Sequence, residues 1–145
     1  MIQEAIQLDV FRREGRLFVV PGALCGNGFK AIDELIRVED GDLVRALERG
    51  ERSARAAAAL PMEKRFDTGT PFWKQAGCAT FSQFVKGTTD VTIVRDDDLT
   101  ELFFSAPSPD GLGLAGNDDP QELGPGTPLS VVAEHVLAML DRHAR

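Results

Sequence analysis

Hydrophobic and polar positions alternate from residue 6 to residue 11. Ile6, Leu8 and Val10 are interleaved with Gln7 and Asp9, the period-two pattern of a half-buried strand. Arg12-Arg13-Glu14-Gly15 reads as a tight turn, and the continuous run Leu17-Phe18-Val19-Val20 as a more central strand folded back on the first and ended by Pro21-Gly22. Residues 23–30 carry loop chemistry at Cys25-Gly26-Asn27-Gly28, since glycine and asparagine accept positive φ readily. Ile32, Leu35 and Ile36 fall at i, i+3, i+4 spacing, which predicts one or two helical turns within residues 31–38. Asp42 is placed to cap a helix that carries Leu43, Val44 and Leu47 on one face, runs through Arg49 and stops at Gly50. An alanine-rich segment from Glu51 to Leu60 predicts a second helix, ended by Pro61 and paired with the first.

Phe66, Phe72 and Trp73 stand among threonines, glycines and a proline. Aromatics in such a segment plug the edge of a core, the alternative being an exposed aromatic contact patch. Thr80 caps a short helix through Val85 that Gly87 closes. Val91-Thr92-Ile93-Val94 and Leu102-Phe103-Phe104 form a second strand pair, with Asp96, Asp97 and Asp98 at the hairpin tip. A turn at residues 107–111 opens a glycine-rich and acidic connection over residues 111–126, long enough to be either functional or partly structured. The clearest helix comes last: Thr127 as N-cap, Pro128 at the first helical position, and a stripe of Leu129, Val132, Ala133, Val136, Leu137 and Leu140 that must lie on the sheet. No internal repeat and no linker divides the chain, so the expectation is a single domain over residues 1–145. Its class is α+β, with a mixed or largely antiparallel sheet, helices packed on it and the C-terminal helix on one face.

Composition adds a sign to this picture. The net charge is −7, and the part from Trp73 onward holds 11 acidic against 5 basic residues. Direct nucleic-acid binding calls for the opposite sign, whereas acidic loops suit a basic protein or serve solubility. The N-terminus shows neither a basic leader nor an apolar h-region, and no run approaches 18 apolar residues, so a cytoplasmic protein away from the membrane is expected. Cys25 and Cys78 lack CxxC spacing; two reduced thiols are the expected state, and a disulfide stays open.

Catalytic chemistry finds little to use. His135 and His143, the only histidines, both fall in the last helix, His135 on its polar side and His143 in the final turn, where solvation is the simplest reading. The glycines match neither phosphate-binding pattern, and no GxSxG, HExxH or Cys/His cluster occurs. Asp96, Asp97, Asp98 and Glu101, like Asp118, Asp119 and Glu122, lack the spacing of a calcium loop. The expectation is therefore no enzyme, no metal and no cofactor, with these seven acidic residues as the surface that meets a partner.

One longer arrangement carries a resemblance. A T/S-x-x-x-F segment (Thr80 to Phe84), a strand (Val91 to Val94) and a second strand with a following proline (Leu99 to Pro107) come first. Glu122-Leu123-Gly124 then precedes an apolar helix ending Val136-Leu137-Ala138-Met139-Leu140. Together they resemble the CdiI immunity proteins of bacterial contact-dependent growth inhibition, and Leu17 to Gly22 fits more loosely. The resemblance implies a cytoplasmic protein that binds and blocks the C-terminal toxin domain of a cognate CdiA, commonly a nuclease, without catalytic residues of its own. The remaining alternatives are an adaptor domain whose acidic face serves another basic partner, and a small enzyme working with a carboxylate base.

Overall fold

A computed structural model describes residues 4–66, 69–116 and 120–143. Strand β1 (Ile6–Arg13) turns through Glu14 and Gly15 into β2 (Arg16–Cys25), with Arg13 opposite Arg16. Both turn residues have positive φ, 53° and 73°, so the loop twists with its strands and the ladder stays in register over eight pairs. β2 then folds back through a second tight turn into β3 (Gly28–Ala31), and residues 23–30, expected as loop, complete a hairpin instead.

Residues 31–38 are not helical. β4 (Ile36–Arg37) pairs with Phe18 and Val19 of β2, while Ile32 donates to the Pro21 carbonyl, so the segment runs along the β2 edge. The unpaired groups of that edge offer hydrogen bonds that eight residues of helical spacing cannot match.

The two helices expected between residues 42 and 60 are one, α1 (Leu43–Ala58), with Asp42 Oδ1 accepting from the Arg45 N–H at 3.1 Å. Gly50 does not stop it. A Cβ there would stand 3.0 Å from Val19 Cγ1 and 3.1 Å from Leu8 Cδ2, so glycine lets the helix axis settle onto the sheet. Arg65 then ties the returning chain down: its guanidinium is buried and donates to the Glu4 carboxylate and to the Ala58, Leu60 and Leu24 carbonyls.

Two short helices follow, α2 (Phe72–Gln75) and α3 (Phe81–Val85), the latter capped by Thr80 Oγ1 accepting from the Gln83 N–H at 3.1 Å. β5 (Thr88–Arg95) and β6 (Thr100–Pro107) form the second hairpin. The long acidic connection is partly structured, supplying β7 (Leu114–Gly116) and β8 (Gln121–Leu123), which pair with opposite ends of β6. Helix α4 (Leu129–Arg142) ends the described chain. Its cap is Pro128 rather than Thr127, because Thr127 turns its hydroxyl to the Gly124 carbonyl and gives its own carbonyl to Arg95.

All pairings are antiparallel, and the main path of the sheet is β3-β2-β1-β5-β6-β7. The fold is thus a single α+β domain with α4 on the sheet, as the hydrophobic pattern predicted. Ile6, Leu8, Val10, Val19, Val91, Ile93, Leu102 and Phe104 point to one side, where Leu43 and Leu47 of α1 and Val132, Val136 and Leu140 of α4 close the main core. Phe11, Phe18 and Val20 point to the other side and meet Phe72, Cys78 and Phe84 beneath α2 and α3. Cys78 is buried and Cys25 exposed, and both are free thiols. No helix among the described residues is long and apolar enough to cross a membrane.

Candidate functional site

Side chains alternate across a strand, and residues paired in register share a face. Helices α1 and α4 take the inner face, so the outer positions of β1, β5, β6 and β8 are set by the ladder. They include Gln7, Asp9, Asp90, Thr92, Val94, Glu101, Phe103, Ser105 and Glu122. The two short helices cover only the Phe11 and Phe18 end of this face. No cation occupies those nine positions. Arg13, further along β1, turns its guanidinium to Glu14 and the Phe84 carbonyl.

Of the acidic residues expected to meet a partner, Glu101 and Glu122 are brought directly opposite each other across the β6–β8 ladder. Like charges in such a pair repel. Asp96, Asp97 and Asp98 lie exposed in the adjoining β5–β6 turn, at the rim of the same end of the sheet. Asp96 is partly committed, its Oδ1 accepting from the Asp98 and Leu99 N–H groups at 2.8 and 3.0 Å and so shaping the turn. Asp118 and Asp119 lie outside the described residues. Among the described residues, no three His, Cys, Asp or Glu side chains converge as metal ligands.

The histidines are less solvated than their helical positions suggest. His135 Nδ1 is 2.8 Å from Gln121 Nε2 of β8, which pins the β8 segment to α4, and the His143 ring stacks on Phe104 at 4.0 Å between centroids. Both contacts come from strands that reach α4 only in the folded chain.

The most unusual chemistry on the outer face involves two residues that the sequence did not single out. Asp9 and Asp90 come from adjacent strands, Asp9 opposite Thr92 and Asp90 opposite Phe11. Thr92 Oγ1 lies 2.7 Å from Asp9 Oδ1 and 3.0 Å from Asp90 Oδ2, while Gln7 Nε2 donates to Asp9 Oδ2 at 3.2 Å. Asp90 is 4% exposed, and its Oδ1 is buried without a hydrogen-bond donor among the described residues beyond a proton held by the pair itself. Burial pushes the Asp90 carboxyl well above the ordinary carboxylate range, and the adjacent Asp9 charge pushes it further. Asp9 is raised by burial too, against the hydrogen bonds it accepts from Asp90, Thr92 and Gln7.

Phe11, Phe72, Trp73, Phe81 and Leu114 surround the two carboxyls, forming a broad-mouthed bowl of about 420 Å³. Phe72 packs edge-on against Trp73 at 5.2 Å, and Trp73 against Phe81 at 5.5 Å, which holds the wall in place. The aromatic segment therefore plugs the outer core through Phe72 and lines a bowl through half-buried Trp73 and Phe81. In the sequence, Asp9 is merely the polar half of an alternating strand. The only local signal is at Asp90, an aspartate opening a β-branched run, where that residue type is disfavoured. The comparisons add no relative: the scan against protein-family models and the search of curated proteins both returned no match.

Proposed function

We propose that this chain is a cytoplasmic binding protein that docks the outer face of its sheet on a basic protein and neutralises it. This is the role that the resemblance to CdiI immunity proteins implies toward the C-terminal toxin domain of a cognate CdiA. The observation that carries the reading is the acidic stretch of the outer face. Asp9, Asp90, Glu101 and Glu122 occupy one side of four neighbouring strands with no cation among the nine positions around them, the arginines of this face (Arg13, Arg16 and Arg37) lying toward its Phe18 end, and the aspartate turn is at the rim. A fold gains nothing from setting Glu101 against Glu122 or burying Asp90 beside Asp9. A positively charged partner relieves both repulsions at once. The residues lining the bowl add neither a nucleophile nor a cation to the two carboxyls, which favours recognition over catalysis.

A nuclease must present a basic surface to phosphates, so an acidic sheet face competes for that surface and associates quickly at low salt. An interface of ordinary size buries roughly 800 Å² on each side. The test is co-expression with the C-terminal toxin domain encoded directly upstream. Cells carrying this chain should survive, and the triple variant Asp98→Asn, Glu101→Gln, Glu122→Gln should lower protection while flattening the salt dependence of association. Survival unchanged by the wild-type chain removes the reading.

A further inference from the structure

The bowl has features that a merely repulsive acidic surface does not need. Its floor holds two carboxyls from neighbouring strands, its walls are aromatic, and its mouth opens to solvent. Asp90 Oδ1 has only the pair's own proton to satisfy it. A buried acceptor left in that state costs stability unless something supplies a donor.

We propose that the bowl receives a lysine ammonium or arginine guanidinium from the basic partner, as the anchor of the docked interface. This rests on the docking reading above, and it names the chemistry recognised at one point of that face. Three observations converge on a cation. The two carboxyls offer oxygens within one hydroxyl's reach of each other, so an N–H donor group can bond to both. Trp73, Phe72 and Phe81 place ring faces and edges around an alkyl stem, and aromatic faces attract a cation above them. No charge of the protein's own fills the role, because the bowl is lined by Asp9, Phe11, Phe72, Trp73, Phe81, Asp90 and Leu114.

Proton balance follows from the same geometry. In the free protein a proton on the dyad is held by burial and by the repulsion of a second carboxylate. A bound cation supplies the missing positive charge, so that proton is released to solvent as the cation seats. The groups facing the dyad are Ser105 from β6, Phe72 and Trp73 from α2, Phe81 from α3 and Leu114 from β7, none of which titrates. Binding must therefore tighten as pH rises through the dyad's own titration.

Trp73 is the only tryptophan of the chain, so its fluorescence reports on the bowl alone. The probes are N-acetyl-lysine methylamide and N-acetyl-arginine methylamide, with the neutral N-acetyl-norleucine methylamide as control. The cationic amides should shift Trp73 emission saturably, bind more tightly at higher pH and release protons in unbuffered titration; the norleucine amide should do none of these. Asp90→Asn and, separately, Asp9→Asn keep the side-chain shape and should weaken the cationic amides by about tenfold or more. A thermal melt verifies each fold. Equal response to lysine and norleucine amides, or undiminished binding in whichever variant folds, overturns the proposal. If wild-type protection in cells holds while the amides leave Trp73 unmoved, the bowl inference alone falls. If the amides bind and protection fails, the docking reading falls and the cation site stands.

Discussion

Asp9 and Asp90 share a single hydroxyl: Thr92 Oγ1 stands 2.7 Å from one carboxyl and 3.0 Å from the other, with one proton to donate. The two carboxyls therefore divide between them the one proton that the hydroxyl can donate. Burial and the closeness of the two carboxyls outweigh that donation, so the pair keeps a proton above the pH at which isolated aspartates lose theirs.

The raised Asp90 carboxyl sets the sign of a pH dependence. A carboxyl whose folded pKa is raised binds its proton more tightly when folded, so its contribution favours folding at low pH and is lost as pH climbs through the raised value. Chemical denaturation across pH should show this component falling upward from the ordinary aspartate range near 3.8. Asp90→Asn should abolish most of it and raise stability at neutral pH. Thr92→Val removes a hydrogen bond that lowers both pKa values, so it should move the transition to still higher pH and cost about 1–2 kcal/mol.

The aspartate turn separates structure from recognition. Asp96 closes the turn through two backbone N–H groups, so Asp96→Ala should cost about 1 kcal/mol in denaturant unfolding. Asp98 is exposed, and Asp98→Asn should leave stability within about 0.5 kcal/mol while slowing association with a basic partner at low salt. Glu122→Gln should stabilise the free protein slightly, by a few tenths of a kcal/mol, because it relieves Glu101.

Gly50 is a packing residue. Gly50→Val introduces two methyl groups where even a Cβ would crowd Val19 and Leu8, both fully buried, so a loss of about 2 kcal/mol or more is expected. Circular dichroism should show α1 retained while the melting temperature drops. A stable or stabilised variant would show that the helix can lift from the sheet at no cost.

Phe72 is the centre of the outer cluster, meeting Phe11, Trp73, Phe81 and Phe84 at 5.2 to 6.1 Å between centroids. Phe72→Ala should cost about 3–5 kcal/mol and red-shift Trp73 emission as the wall loosens. Trp73→Phe should cost much less, since that ring is only half-buried.

Much of the architecture was legible locally. Ile6-Leu8-Val10 alternation, the Asp42 and Thr80 caps, the hairpin around Asp96 to Asp98 and the stripe of α4 all depend on neighbours within a few residues, and each is present in the fold. Errors arose where a distant surface decided. Gly50 reads as a helix stop until β1 and β2 pass beneath it, and Ile32 to Ile36 read as helical until the β2 edge offers them its hydrogen bonds.

The sequence by itself determined the two long hairpins, the short helix at Phe81–Val85, the last helix, the helical character of residues 43–58, which side of each is apolar, and that acidic residues gather late in the chain, because these follow from side-chain period and composition; β3, β4, α2, β7 and β8 took shape only against their neighbours. Which acids share a face was decided by tertiary structure. Asp9 and Thr92 stand 83 residues apart and meet through the pairing of β1 with β5, while Glu101 and Glu122 meet through β6 and β8. Strand pairing carries no local signature beyond alternation, and one residue of slip would send Asp90 to the opposite face of the sheet. The buried dyad and its aromatic bowl exist only once that register is set.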